Sequence, residues 1–168
     1  MLRDWAQLMR EAASETPHAC ELVAGEPTYL GTLDASKEGP GGVWLPGTRE
    51  LAPVVWRVRW PEYIRARPVS SENPEGNITT SNLEMATKLL GWLILEGLVA
   101  TKWAHVGVCN NNMVTVAWQG RGASKWLCIT NRLLRVLAVQ MRKNCVSPLV
   151  TRHIEGTCNA LGNIPLRS

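Results

Sequence analysis

The chain has 168 residues, 45% hydrophobic and 19% charged, with a net charge of +4. That length suits one domain with a buried core, and that balance excludes a disordered chain, while the small positive excess hints at an acidic partner. No apolar run approaches the roughly 20 residues of a membrane span: the best, Leu89 to Ala100, is shorter and contains Glu96.

Leu2 to Ala13 places Leu2, Trp5, Leu8, Met9 and Ala12 on one face, so a helix is predicted at about 2–13. Its interleaved charges are unlike a signal peptide. Tyr29 to Asp34 alternates as a strand, Gly39-Pro40-Gly41-Gly42 reads as a tight turn, and Val43-Trp44-Leu45 returns as the second strand of a hairpin. Val54 to Arg59 is a third strand, and Arg67 to Thr80 a polar loop. Leu83, Ala86, Leu90, Leu93, Ile94 and Gly97 form an apolar stripe along a helix from about Asn82 to Leu98. His105 to Cys109 is a buried strand, Met113 to Trp118 a short helix, and Ser124 to Lys143 a long amphipathic helix with Leu127, Leu134, Leu137, Ala138 and Met141 on one side. Leu149 to Ile154 is the last strand before a loop-like tail. Hairpin strands followed by helix, strand, helices and strand imply an α/β layer fold with a mixed sheet, in a single domain over residues 1–168.

Cys20, Cys109, Cys128, Cys145 and Cys158 make an odd set with no CxxC pair. This argues against a zinc site or a disulfide framework, and for a reducing intracellular compartment, cytoplasmic or nuclear. Eight Trp and no Phe make the aromatic set lopsided, and most of these Trp sit in apolar runs as core.

Polar residues stand where strands finish. Asp34 ends the first strand, Glu84 lies in the first turn of the long helix, Asn111 follows the fourth strand, and Asn163 lies in the tail. Such groups can converge despite their distance in sequence. Each also has a plain structural account. Ser81-x-x-Glu84 is a capping box, Asp34 precedes a Gly-rich turn, and Asn110-Asn111-Asn112 is placed to cap the helix starting near Met113.

In combination the motifs resemble the ribonuclease H domain of retroelement reverse-transcriptase polyproteins. They are Leu33-Asp34-Ala35-Ser36 with Gly41-Gly42-Val43-Trp44, Ser81-Asn82-Leu83-Glu84-Met85-Ala86, His105-Val106-Gly107 to Thr115-Val116-Ala117-Trp118, His153-Ile154-Glu155-Gly156 to Asn159, and Ile164-Pro165-Leu166-Arg167. The resemblance spans essentially the whole chain. It implies a ribonuclease H-like fold, a five-stranded mixed sheet whose first three strands are antiparallel, with helices on both faces. It also implies four carboxylates that hold two Mg²⁺ or Mn²⁺ ions for cutting the RNA strand of an RNA–DNA hybrid.

Asp34 and Glu84 match the first two carboxylates and are the implied metal ligands. The third and fourth fall on Asn111 and Asn163, so the catalytic set reads Asp34, Glu84, Asn111, Asn163. Two unit charges about 4 Å apart interact by roughly 4 kcal/mol at an effective dielectric near 20. Replacing two carboxylates by amides therefore implies a weakened or absent second metal site and impaired or absent cleavage. For Asn111 as it stands, helix capping is then the better account. Cys109, Asn110, Gly162 and Leu166 depart from the family pattern as well, which favours natural divergence over a designed change.

Lys125, Arg132, Arg135 and Arg142 lie opposite the Leu stripe of the long helix. They read equally as a solvated face and, with Asn112, as a nucleic-acid-binding ridge. Trp126 is the tryptophan placed for a base or sugar contact, and His153 is a candidate proton shuttle, although a packed histidine is the commoner meaning. A second reading keeps the fold but makes it a domesticated pseudo-ribonuclease H scaffold for protein or nucleic-acid interaction.

Overall fold

The computed structural model describes residues 6, 10, 26–124, 128–144, 146, 150–156 and 159. Of the helix predicted at about 2–13, Ala6 and Arg10 are described, and both are helical. Strands β1 (Tyr29–Ala35), β2 (Pro40–Pro46) and β3 (Val54–Arg57) form an antiparallel meander. β4 (Val106–Asn110) joins β1 in parallel, and β5 (Val150–His153) joins β4 in parallel. The sheet order is β3-β2-β1-β4-β5, the predicted five-stranded mixed sheet. The helices are α1 (Glu62–Arg65), α2 (Thr80–Leu98), α3 (Met113–Arg121) and α4 (Cys128–Lys143). α2 packs on β1 and β2 and against α4, while α3 packs on β4 and β5.

The first hairpin turns earlier than its glycines suggest. Ser36 N–H donates to the Gly39 carbonyl at 3.0 Å, the Gly39 N–H donates to Ser36 Oγ at 3.2 Å, and Pro40 to Gly42 already belong to β2. Gly42 serves close packing instead of a turn: a Cβ there would stand 2.5 Å from Leu33 Cδ2.

Tryptophan builds the core that phenylalanine would otherwise fill. Trp44, Trp56, Trp60 and Trp92 are all buried. The Trp44 ring lies over Gly31, where a Cβ would be 2.5 Å from Cζ3. Its indole N–H donates to the Gly91 carbonyl at 3.0 Å, fastening β2 to α2.

The buried face of α2 differs in phase from the predicted stripe. It comprises Asn82, Leu83, Glu84, Met85, Thr87, Lys88, Gly91, Trp92 and Leu95, whereas Leu93 is exposed. The helix is apolar over much of its circumference, so hydrophobicity alone does not fix its rotation. Polar residues occupy part of the face that meets the sheet.

Candidate functional site

β1 and β4 are adjacent and parallel, so their C-terminal ends meet at one edge, the usual location of sites in open α/β sheets. Thr32 pairs with Cys109. Continuing that register two residues brings Asp34, near the end of β1, level with Asn111, just past β4.

Glu84 reaches this edge because other residues cap α2. Thr79 Oγ1 accepts from Asn82 N–H at 3.2 Å, and Asn82 Oδ1 accepts from Thr79 N–H at 2.9 Å. The capping box is therefore Thr79–Asn82, and the predicted Ser81–Glu84 box does not form. Asn82 Nδ2 also donates to Thr130 Oγ1 at 2.7 Å, which sets the N-terminal end of α4 beside that of α2. Freed from capping, Glu84 turns to the sheet and is only 3% exposed.

Glu84 Oε1 accepts from the Ala35 N–H at 3.4 Å, and Oε2 accepts from Asn110 Nδ2 at 3.0 Å. Burial pushes the Glu84 pKa up to about 8. The donors on Asn110 and Ala35 oppose this rise, while the charge of Asp34 and its hydrogen bond to Glu84 reinforce it.

Asn110 is wholly buried, and its Oδ1 accepts from the Asn112 N–H at 2.8 Å. Asn112, not Asn111, caps α3: its Oδ1 accepts from Thr115 N–H at 3.0 Å. The capping expected of Asn111 thus falls one residue later. Asn112 Nδ2 donates to Ser81 Oγ at 3.2 Å, so its amide already ties α3 to α2. The Asn111 carbonyl lies 3.2 Å from Nε2 of the exposed His153.

Asn163, Lys125 and Trp126 lie outside the described residues. Arg132 is exposed near the start of α4, at the end that Thr130 ties to the site. Arg135 is half-buried, with its Nε donating to the Asn131 carbonyl at 3.1 Å. Arg142 sits at the opposite end of α4, where Asn144 donates to Glu96 near the end of α2. Arg142 lies roughly 15 Å beyond Arg132 along the helix axis.

Sequence reasoning missed two residues that the fold brings to Glu84. Asn110 is a polar last residue of a buried strand, and a polar residue there is itself a signal. Lys88 is one helical turn after Glu84, 1% exposed, and donates to Gln119 Oε1 of α3 at 3.1 Å. Burial lowers its pKa from 10.5 to about 8, against the opposing pull of Glu84.

Among the described residues no group of three or more His, Cys, Asp or Glu is arranged for a metal ion. Asp34 and Glu84 are a fitting pair of oxygen donors for one hard divalent cation. The Asn110 oxygen is already taken by a backbone N–H.

Solved structures share this fold. RNase H1 from the halophilic archaeon Halobacterium salinarum NRC-1 matches with a TM-score of 0.50 and 12% identity, over 82% of this chain and 92% of that one. The fold is ribonuclease H-like. LC11-RNase H1, solved in complex with an RNA/DNA hybrid, matches at a TM-score of 0.49 and 16% identity, over 79% of this chain and 88% of that one. The prototype foamy virus protease-reverse transcriptase matches at 0.49 and 13%, over 91% of this chain but 22% of that one. No family model and no curated protein matches the sequence. Among the described residues no helix is long and apolar enough to cross a membrane.

Proposed function

We propose that this chain is a single ribonuclease H-type domain of a retroelement polyprotein, one that binds RNA–DNA hybrid and cleaves it poorly or not at all. The observation that carries the reading is Glu84, buried at the joined ends of β1 and β4 with Asn110 bonded to it and the charge of Asp34 acting on it. The retroelement origin rests on the sequence motifs. The reducing setting, cytoplasmic or nuclear, rests on the odd cysteine count without a CxxC pair.

Asp34 and Glu84 would hold one Mg²⁺ or Mn²⁺, which when bound polarises a phosphodiester and lowers the pKa of water. Asn111 and Asn163 stand where the remaining carboxylates belong, and their amides withhold the charge a second ion needs. His153, exposed and beside the Asn111 main-chain carbonyl, would serve as the proton shuttle. Arg132, Arg135 and Lys125 would take phosphates, with Asn112 and Arg142 as further contacts. Backbone and 2′-hydroxyl contacts over a shallow groove need none of the missing carboxylates, so binding outlasts cleavage.

One observation favours the second reading, a scaffold repurposed for protein or nucleic-acid interaction. Glu84 and Asn110 are closed over, at 3% and 0% exposure. Metal-free titration with RNA–DNA hybrid, duplex DNA and single strands separates the two. The first reading expects hybrid to bind best, with affinity falling as salt rises; equal weak binding of all three would support the scaffold.

A further inference from the structure

Lys88 is the buried charge that the site's chemistry has not used. It shares the sheet-facing side of α2 with Glu84 at i+4 spacing, which separates Cβ atoms by about 6 Å. It is 1% exposed, with the Gln119 amide oxygen as acceptor at 3.1 Å. An ammonium carries three donors, and no carboxylate lies within salt-bridge distance of this one among the described residues. A buried, under-bonded cation is costly unless an anion stands nearby. The acidic side chain one turn earlier on α2 is Glu84, whose charge, once it is ionised, favours the ammonium.

We propose that Lys88, positioned by Gln119, is a built-in cation of the Asp34–Glu84 site that competes electrostatically with a divalent metal ion. A fixed positive charge one turn from a carboxyl ligand repels an incoming Mg²⁺ or Mn²⁺. With its pKa near 8, Lys88 keeps its proton at neutral pH. Weak metal binding then has two independent sources: the amides that replace carboxylates, and an ammonium supplied from the helix itself. The inference rests on the reading that Asp34 and Glu84 are the metal-binding pair.

Mn²⁺ titration of the full chain, followed by calorimetry and by the shift in melting temperature, tests it. Lys88→Met keeps an unbranched side chain of similar length without the charge, and Lys88→Gln serves if Lys88→Met does not fold. The neutral variant should bind Mn²⁺ about tenfold more tightly than the parent, Lys88→Arg should match the parent, and Glu84→Gln should abolish binding. Unchanged affinity in the neutral variant, with Glu84→Gln still abolishing binding, overturns the role of Lys88. An Mn²⁺ response that survives Glu84→Gln overturns the assignment of the metal pair instead.

Discussion

Asn110 Nδ2 donates to Glu84 Oε2 at 3.0 Å while its Oδ1 accepts from the Asn112 N–H at 2.8 Å, so one buried amide joins β4, α2 and the start of α3. A leucine at 110 would fill similar space but leave both partners unpaired. Asn110→Leu should therefore cost about 1–3 kcal/mol of stability for each buried partner left without its bond. Urea unfolding at pH 7 reads this directly, and a change below about 0.5 kcal/mol, the range of ordinary surface substitutions, would show the bonds to be incidental.

Glu84 and Lys88 give stability a minimum in pH. The Glu84 pKa is raised in the folded chain from 4.5 to about 8, so its contribution is complete below pH 4.5 and is lost as pH rises through 8. The Lys88 pKa is lowered from 10.5 to about 8, so between pH 8 and 10.5 the unfolded chain binds more protons and stability recovers. Unfolding free energies across pH 5 to 10 should dip near pH 8. Glu84→Gln should remove the falling limb and Lys88→Met the rising one, whereas a parent-like curve in both variants would contradict the assignment.

Thr79, and not Ser81, starts α2. Thr79→Ala should cost about 1 kcal/mol in thermal or urea unfolding. Ser81→Ala should cost clearly less, because among the described residues Ser81 Oγ bonds only to the Asn112 side chain, at 3.2 and 3.4 Å. The reverse order would return Glu84 to a capping role.

Arg132 and Arg135 lie on the end of α4 that is tied to the site. Replacing both with Ala should weaken hybrid binding and flatten its log–log salt slope by about 0.9 for each phosphate that is no longer neutralised. Arg142→Ala, at the far end, should change the slope less. Salt titrations that superimpose for parent and double mutant would make this face a solvated surface only.

Strand order and helix order are legible in the sequence because each strand carries its own alternation or apolar run between clear breakers. What stays hidden follows from local ambiguity. Gly39-Pro40-Gly41-Gly42 has the composition of a turn, but Gly42 is there for close packing on Leu33, which sequence cannot reveal. The apolar stripe of α2 is out of phase with its buried face because Glu84, Thr87 and Lys88 face the core while Leu93 faces solvent. Buried polar residues break the hydrophobic pattern that would otherwise mark the face. In the Asn110-Asn111-Asn112 run identical side chains have three different environments, set by alternation at a strand end: Asn110 turns inward to Glu84, Asn111 Nδ2 lies toward Gly156, and Asn112 caps α3.

The decisive measurement is the rate of Mg²⁺-dependent cleavage of an RNA–DNA hybrid by the parent chain beside its Asn111→Asp, Asn163→Asp double mutant. Both should bind hybrid without metal, the parent at least as tightly because two amides repel phosphate less than two carboxylates do. With Mg²⁺ the double mutant should cut the RNA strand at least about a hundredfold faster, a barrier difference of roughly 2.7 kcal/mol. Cleavage by the parent at a rate comparable to the double mutant would contradict the proposal that these two amides silence a ribonuclease H-type site.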